Sequence, residues 1–227
     1  MTREPYKRLV ILGPPGAGKG TQGKQLAETM ELRHIASGDL VRQHQAKRTS
    51  LGLQSKVYYS KGLLVPDEIT ISIVLPDVLA ASSGFILDGF PRNVNQAEHL
   101  ESAMSEVALQ IDQALLIVIP RDEILKRLTD RRVCRQCEQV YHLTTAPSKD
   151  GDKCDECEGQ LYQRDDDKPE AIDTRLEEYH SQTKPVADFY RNQCKLTKID
   201  GIGSVEEIFQ RLSQALRYEG FERSYVN

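Results

Sequence analysis

Near its start the chain passes from a short apolar run through a glycine-rich turn into a helical pattern, and few folds accept that succession. The apolar run covers residues 9–12, the turn reads Gly-Pro-Pro-Gly-Ala-Gly-Lys-Gly-Thr over 13–21, and the helical pattern extends over about 19–31. Glycines let backbone N–H groups approach phosphate oxygens closely, and a helix N-terminus favours negative charge. The succession therefore predicts a strand, a phosphate-binding loop and a helix.

Two side chains of the turn have chemistry that suits a nucleoside phosphate. Lys19 is placed to reach the β- and γ-phosphates, and a hydroxyl in this position lies near Mg²⁺. In the general pattern Ser or Thr follows the lysine directly, whereas here Gly20 intervenes and the hydroxyl belongs to Thr21. The alternative is a glycine-rich turn with a chance lysine. We disfavour it because the strand and the helix fall where the motif requires them.

Four further strands are predicted, around residues 34–35, 84–87, 114–119 and 197–199, and those at 84–87 and 114–119 are apolar runs. They are separated by longer amphipathic stretches, a pattern typical of parallel strands covered by helices on both sides. The pattern predicts an α/β fold with a parallel sheet of five strands that helices cover on both faces. Residues 132–167 lack long apolar runs and are rich in Cys, Asp and Gly. We interpret them as an insertion between two helices.

Prolines and a capping pattern predict where several helices begin. Pro66 and Pro120 each precede acidic residues, which favour a helix N-terminus, and Pro169 suits a first helical turn. The residues of 204–207 have the spacing of a capping box. Pro185 is expected to kink or end the helix that Pro169 starts.

Composition excludes several classes of protein. The 227 residues carry a formal net charge of -4, which argues against a dedicated nucleic-acid-binding protein. No apolar run approaches the roughly 20 residues that cross a bilayer. The apolar run at 9–12 is too short for the core of a signal peptide. We therefore expect a cytoplasmic protein that does not interact with membranes.

Four of the cysteines form two close pairs, Cys134 with Cys137 and Cys154 with Cys157, which enclose sixteen residues. This spacing is typical of structural zinc ribbons, in which four thiolates complete a closed tetrahedral site. Disulfides, a redox-active pair and iron in the same thiolate cage are the alternatives. A closed site leaves no position for substrate, so the Zn²⁺ is expected to be structural. Cys194 lies apart, and we expect it to be a small buried side chain.

Motifs beyond the phosphate-binding loop extend the analysis over residues 13–175. They are Ser-Gly-Asp-Leu-Val-Arg at 37–42, Asp-Gly-Phe-Pro-Arg at 88–92 with Gln96, the pair Arg127 and Arg131, which we expect on one helical face, and Arg164 with Asp166, Asp167 and Arg175. Together with Gly-Lys-Gly-Thr, this set resembles the nucleoside monophosphate kinases, and the adenylate kinase family in particular.

The resemblance implies a role for each matching residue. The implied catalytic residues are Lys19, Arg92, Arg127, Arg131, Arg164 and Arg175. The implied ATP contacts are Gly16, Ala17, Gly18, Lys19, Gly20, Thr21, Arg127, Arg131, Val140, Tyr141 and Gly203. The implied AMP contacts are Ser37, Arg42, Leu63, Leu64, Val65, Gly89, Phe90, Pro91, Arg92, Gln96, Arg164 and Arg175. Asp88 would hold Mg²⁺ through water, with Asp39 as a further candidate.

The resemblance also implies a P-loop NTPase-type, doubly wound parallel sheet of five strands, together with domain boundaries, partners and a reaction. It implies a core of residues 1–35, 66–129 and 168–227, an insertion at 36–65 that binds the nucleoside monophosphate, and a zinc-ribbon lid at 130–167. The reaction would be reversible, Mg²⁺-dependent phosphoryl transfer between ATP and AMP, giving two ADP. The family implies a monomer with no nucleic-acid or membrane partner.

Two alternatives stay open at this point. The first is another nucleoside monophosphate kinase, of the GTP:AMP or UMP/CMP type. The second, from a different class, is a zinc-ribbon protein that binds nucleic acid. Residues 130–167 contain six Lys and Arg against ten Asp and Glu, the wrong sign for a nucleic-acid backbone.

Overall fold

A computed structural model of the chain describes residues 7–59, 63–81 and 83–217. In chain order its elements are β1 (Arg8–Leu12), α1 (Lys19–Met30), β2 (Arg33–Ala36), α2 (Ser37–Ala46), α3 (Ser50–Tyr59), α4 (Asp67–Leu79), β3 (Phe85–Asp88), α5 (Val94–Glu106), β4 (Gln113–Val118), α6 (Arg121–Asp130), β5 (Arg131–Cys134), β6 (Val140–His142), β7 (Leu161–Tyr162), a 3₁₀ turn (Asp165–Asp167), α7 (Pro169–Glu178), a π-helical turn (Tyr179–Thr183), α8 (Lys184–Asn192), β8 (Leu196–Asp200) and α9 (Val205–Arg217). Outside the described residues lie 1–6, 82 and 218–227 of the predicted core, and 60–62 of the predicted nucleotide-binding insertion.

The main sheet has five strands in the order β2-β3-β1-β4-β8, and every neighbouring pair is parallel. Leu9 of the central strand pairs with Ile86 on one side and with Gln113 on the other. The predicted fold class, with its five parallel strands, is confirmed. The phosphate-binding loop follows β1, next to the point where the strand order reverses, which is where open α/β sheets bind their ligands.

Helices cover both faces of this sheet. Successive side chains of a strand point to opposite faces, so Val10 and Leu12 enter one apolar cluster while Leu9 and Ile11 enter the other. The first cluster draws on α2, α4, α5 and α8, and the second on α1, α6, α7 and α9. Burial on both faces holds β1 rigid, so the loop that follows it starts from a fixed backbone.

The predicted helix starts agree with the structure. Helices α4 and α6 begin directly after Pro66 and Pro120, and Pro169 is the first residue of α7. At α9 the amide N–H of Glu207 donates to Ser204 Oγ over 3.2 Å, and that of Ser204 donates to Glu207 Oε2 over 2.8 Å. This reciprocal pair is a capping box. The helix that Pro169 starts passes through the π-helical turn just before Pro185 and continues as α8.

A second, smaller sheet carries the four paired cysteines. Its order is β6-β5-β7, and both strand pairs are antiparallel. Among the described residues, its only buried apolar cluster consists of Cys134, Tyr141 and Cys154. Cys157 and Leu161 pack against this cluster. A core this small gives little hydrophobic stabilisation, so the segment depends on another source of stability.

Two predictions about individual residues are wrong. Arg131 does not share a helical face with Arg127, because α6 ends at Asp130 and Arg131 has extended backbone with ψ 134°. Cys194 is exposed rather than buried, since it lies in the turn between α8 and β8 with a φ of 56°. Within the described part of the chain, no helix is both long and apolar enough to cross a membrane.

Candidate active site

A large cleft opens where the parallel strands end, with a volume of about 1110 Å³. It brings together most of the residues that the sequence motifs predict for the site. Those that line it are Gly16, Gly18, Lys19, Gly20, Thr21, Arg42, Leu63, Leu64, Asp88, Gly89, Pro91, Arg92, Arg127, Arg131, Val140, Arg164 and Arg175. The loop after β1, the end of β3, the second sheet and helix α7 therefore all face one cavity.

The glycines of the phosphate-binding loop are required by its backbone. Gly16 and Gly18 have φ values of +76° and +85°, in the left-handed region that side chains disfavour. A Cβ on Gly16 would also lie 3.1 Å from Leu128 Cγ. The loop leads into the N-terminus of α1, where unpaired N–H groups and the helix dipole favour an anion.

The Lys19 ammonium lies inside the curve of this loop. Its Nζ donates hydrogen bonds of 2.9 Å to the carbonyl oxygens of Gly13 and Pro14. Burial lowers its pKa to about 8. Asp88 opposes that shift, and the charges of Arg92 and other nearby arginines reinforce it. The lysine is therefore a cation in a site already rich in positive charge, and an anionic ligand is what would relieve the repulsion.

Two buried aspartates hold two of the predicted arginines. Asp167, with 0% exposure, accepts from Arg131 Nε over 2.7 Å and from Arg175 Nη1 over 2.8 Å. Asp166 Oδ2 lies 3.1 Å from Arg175 Nη1. Burial alone would raise the pKa of Asp166, but Arg175 and Arg131 outweigh it and lower that pKa. The Asp166 carboxylate is thus ionised, and the two aspartates together fix both guanidinium groups at the cleft.

Arg127 and Arg92 are fixed by neighbouring backbone. Arg127 Nη2 donates to the Gly201 carbonyl oxygen over 2.9 Å, and its Nε donates to Glu123 over 2.7 Å. Arg92 Nε donates to the Gly89 carbonyl oxygen over 2.8 Å. Each arginine is held through part of its guanidinium group while its side chain lines the cleft. Positions fixed in this way reduce the entropy lost when an anion binds.

Arg42 is bridged across the cleft to the second sheet. Its Nε and Nη2 donate to the two carboxylate oxygens of Glu138, each over 3.2 Å, and it also contacts Asp39. Burial raises the pKa of Glu138, but the hydrogen bonds and charge of Arg42 more than offset this and lower it. Sequence reasoning missed Glu138, which directly follows the second cysteine and has a φ of 60°.

A small second pocket of about 20 Å³ adjoins the cleft and is lined by many of the residues predicted to contact AMP. Its lining includes the predicted residues Ser37, Leu63, Leu64, Val65, Arg92 and Gln96. Ser37 Oγ donates to the Gly89 carbonyl oxygen over 2.6 Å, so its hydroxyl is used within the protein. Gln96 is 1% exposed.

Four of the residues predicted to contact ATP or AMP do not line either pocket. Ala17 and Phe90 are both 0% exposed and lie in the two apolar clusters. The Tyr141 hydroxyl lies 3.3 Å from Cys154 Sγ, so this side chain supports the cysteines. Gly203, with a φ of +120°, lies in the loop before α9 and outside both linings. Only backbone groups of these residues are left for a ligand.

Asp88 ends β3 beside the phosphate-binding loop and lines the cleft. Its Oδ2 lies 4.0 Å from His34 Nε2 and would be 3.3 Å from a Cβ on Gly20. A carboxylate oxygen near a phosphate site suits Mg²⁺, which prefers oxygen ligands and keeps several waters. The residue present therefore fits the ion that the motif implies.

The four paired cysteines form a cluster that could hold a metal ion. Their sulfurs all lie within 4.8 Å of one another; Cys134 and Cys157 are 3.4 Å apart, and Cys137 and Cys154 are 3.5 Å apart. Four thiolates about 2.3 Å from one ion require separations of about 3.8 Å. The donor set therefore fits a closed tetrahedral site.

The two cysteine turns share one backbone design. The N–H groups of Glu138 and Glu158 donate to the carbonyl oxygens of Cys134 and Cys154. These glutamates have φ values of 60° and 59°. Each turn thus contributes two sulfurs to the cluster. One turn connects β5 to β6, and the other lies between β6 and β7.

A phosphate-binding loop on a parallel sheet, faced by several fixed arginines, defines the class of P-loop phosphotransferases. Known proteins agree with that class. The family model described as adenylate kinase matches residues 11–195. The chain is 47% identical to the protein named adenylate kinase of Streptomyces griseus, over 92% of this chain and 97% of that protein. It is 46% identical to the protein of that name from Archaeoglobus fulgidus, with the same two coverages. The chain belongs to the adenylate kinase family.

Proposed function

We propose that this chain is an ATP:AMP phosphotransferase that interconverts ATP and AMP with two ADP. The observation that carries the proposal is the ring of fixed cations, Lys19 with the arginines, around one cleft at the phosphate-binding loop. Phosphoryl transfer needs alignment and stabilisation of charge far more than a protein nucleophile. An AMP phosphate oxygen would attack the γ-phosphorus as the bond to the β–γ bridging oxygen breaks.

The cleft offers different groups for the two nucleotides. The loop N–H groups of 16–21 and Lys19 would hold the β- and γ-phosphates of ATP, with Arg127 and Arg131 beside them. Arg42, Arg92, Arg164 and Arg175 would hold the AMP phosphate and the group in transfer. The family's residue pattern supports these assignments. Planar guanidinium groups suit them because they bind phosphoryl oxygens through two parallel hydrogen bonds.

Asp88 would hold Mg²⁺ through water next to Thr21, and the ion would neutralise charge on the β- and γ-phosphates. For the four cysteines we propose zinc, because tetrahedral thiolate sites of this spacing take Zn²⁺ most readily. We propose the boundaries 36–65 for the AMP-binding insertion and 130–167 for the lid. The second sheet and the cysteine cluster within 130–167 support the lid assignment.

The remaining proposals concern the oligomeric state, the location in the cell and the binding partners. We propose a monomer in the cytoplasm, in keeping with the family, whose substrates are ATP, AMP and ADP. We propose no nucleic-acid partner, because the segment 130–167 is acidic. Sedimentation of the purified chain tests the monomer.

A nucleotide-pair assay tests the proposed reaction. Each of AMP, UMP, CMP and GMP is offered with ATP, and GTP is then offered with AMP, while nucleoside diphosphate formation is followed. We expect ATP with AMP to have the highest kcat/KM. Faster turnover with UMP, CMP or GTP would assign the chain to another monophosphate kinase. No diphosphate with any pair would contradict a kinase altogether.

Glu138 leads to a prediction about AMP affinity. Its carboxylate occupies the Arg42 fork that the AMP phosphate would use, so the two compete. Glu138→Gln is expected to lower the KM for AMP about two- to fivefold and to change kcat little. A factor of this size corresponds to the free energy that a partly exposed ion pair contributes. Glu158→Gln is the matched control, since it removes the same charge from the equivalent turn away from Arg42. A KM for AMP that rises in Glu138→Gln contradicts the competition.

A further inference from the structure

A carboxylate outside the cleft holds the side chain that the family pattern assigns to the AMP base. Asp67, the first residue of α4, lines neither pocket. Its Oδ1 accepts from Gln96 Nε2 over 2.7 Å and from Asn93 Nδ2 over 2.8 Å, and its Oδ2 accepts from Asn95 Nδ2 over 2.6 Å. Three amide groups from one turn of chain therefore converge on a single carboxylate.

The other end of the Gln96 amide is fixed as well. Its Oε1 accepts from the backbone N–H of Arg92 over 2.8 Å. Turning the amide over would place Nε2 against that N–H, and Oε1 against the Asp67 carboxylate. Both contacts would then be repulsive, donor facing donor and acceptor facing acceptor. The structure thus fixes which end of Gln96 is the acceptor and which is the donor.

Asp67 is an acceptor only, because it is ionised. Burial raises its pKa, but the hydrogen bonds donated by Asn95, Asn93 and Gln96 outweigh burial and lower that pKa below its ordinary value. An ionised carboxylate cannot donate, so it tolerates only the nitrogen end of the Gln96 amide.

Gln96 keeps hydrogen-bonding capacity on the pocket side. A side-chain amide offers two N–H groups and two acceptor lone pairs, and the bonds to Asp67 and Arg92 use one of each. The small pocket beside it is also lined by Val65 and Thr70. A purine in the cleft where this pocket adjoins it would meet one acceptor and one donor in a fixed order.

We propose that Asp67 is a positioning residue that selects adenine over 6-oxopurines by fixing the orientation of the Gln96 amide. Adenine presents an N–H donor at position 6 and an acceptor at N1, whereas hypoxanthine presents an acceptor at position 6 and an N–H donor at N1. The two bases have nearly the same size, so only the order of donor and acceptor separates them. The inference rests on the proposed function, in which Gln96 reads the AMP base.

The test compares kcat/KM for AMP and for IMP, with ATP as donor, in Asp67→Ala. The amide of Gln96 is then held only by Arg92, so the AMP-to-IMP ratio is expected to fall about tenfold, within the range for one bidentate base contact. Asp67→Asn is expected to keep the ratio within about threefold of the unaltered protein, because its Oδ1 still accepts from Gln96. Glu68→Ala, which removes the adjacent exposed carboxylate, is the control and is expected to leave the ratio unchanged.

An unchanged ratio in Asp67→Ala overturns the inference, as does a loss in Asp67→Asn equal to that in Asp67→Ala. A merely structural role would change both KM values together and leave the ratio alone. If the unaltered protein makes no ADP from AMP, the proposed function itself fails, which separates the two outcomes.

If Asp67→Ala does not fold, the unaltered protein supplies a second measurement. The side-chain amide resonances of Gln96, assigned by their loss in Gln96→Ala, are expected to shift as acid protonates Asp67. Resonances that do not respond to pH would overturn the inference.

Discussion

Lys19→Ala is expected to lower kcat for ADP formation about 10²- to 10³-fold, the usual cost of removing one fixed donor from developing charge. The ammonium lies within the loop, bonded to the Gly13 and Pro14 carbonyl oxygens, so its loss removes a cation from the phosphate-binding loop itself. Steady-state kinetics with saturating ATP and AMP measure the loss. Because the effect concerns charge that develops during transfer, it is expected in kcat more than in KM.

Lys126→Ala is the matched control, since it removes an exposed lysine of α6 outside the cleft. Its kcat is expected to equal that of the unaltered protein. Equal activity in Lys19→Ala and Lys126→Ala would contradict the assigned role of the loop lysine.

The pKa of Lys19 adds a pH dependence to this result. In the free protein that pKa is lowered to about 8 by burial and by neighbouring arginines, so the cation is lost as pH rises through 8. Since kcat/KM reports the free enzyme, kcat/KM for ATP is expected to fall above about pH 8. Bound phosphate raises the pKa of the lysine again, so ATP binding near pH 8 should take up protons, which calorimetry in two buffers detects.

Removal of the proposed lid metal is expected to lower the melting temperature by about 10 °C. A ligand at a thousand times its Kd stabilises a protein by about 4 kcal/mol, and each kcal/mol moves the melting temperature of a chain this long by about 2–4 °C. The small sheet has little apolar core of its own, so the metal supplies most of its stability. Calorimetry with and without a chelator measures the shift, and metal analysis is expected to give one zinc ion per chain.

Cys154→Ser should reproduce the effect of the chelator, because it removes one of the four thiolates. Cys194→Ser is the matched control, as it changes an exposed cysteine outside the cluster. A chain without stoichiometric metal, or equal melting temperatures for Cys154→Ser and Cys194→Ser, would contradict a structural metal. Activity at low temperature is expected to survive chelation longer than heat stability does.

The main sheet was predictable because its signals are local. The three central strands, β3, β1 and β4, contain apolar runs that can be identified without knowing their partners, and β1 is followed at once by the loop motif. Strands of the second sheet were not predicted, since β7 has only two residues and depends on pairing with the distant β5. The interruption of the helix near Pro185 was predicted from the proline, but its π-helical form over Tyr179–Thr183 was not.

In the site, too, residues that stand in local motifs were predictable, and residues that depend on long-range contacts were not. Loop glycines, Lys19 and the arginines stand in motifs, so their convergence on one cleft could be predicted. Asp67 and Glu138 were missed because their contacts join residues far apart in sequence. Asp67 reaches Gln96 across 29 positions, and Glu138 reaches Arg42 across 96. No spacing rule connects such pairs, and only the folded chain brings them together.

The ion pair between Arg131 and Asp167 closes a loop of chain at its neck. Arg131 is the first residue of the small sheet's first strand, and Asp167 ends the 3₁₀ turn that returns the chain to α7. The same carboxylate also holds Arg175, so one buried group anchors both arginines and the neck of the segment. The segment is therefore tied to the phosphate-binding site at its base, while Glu138 and Arg164 within it also face the cleft.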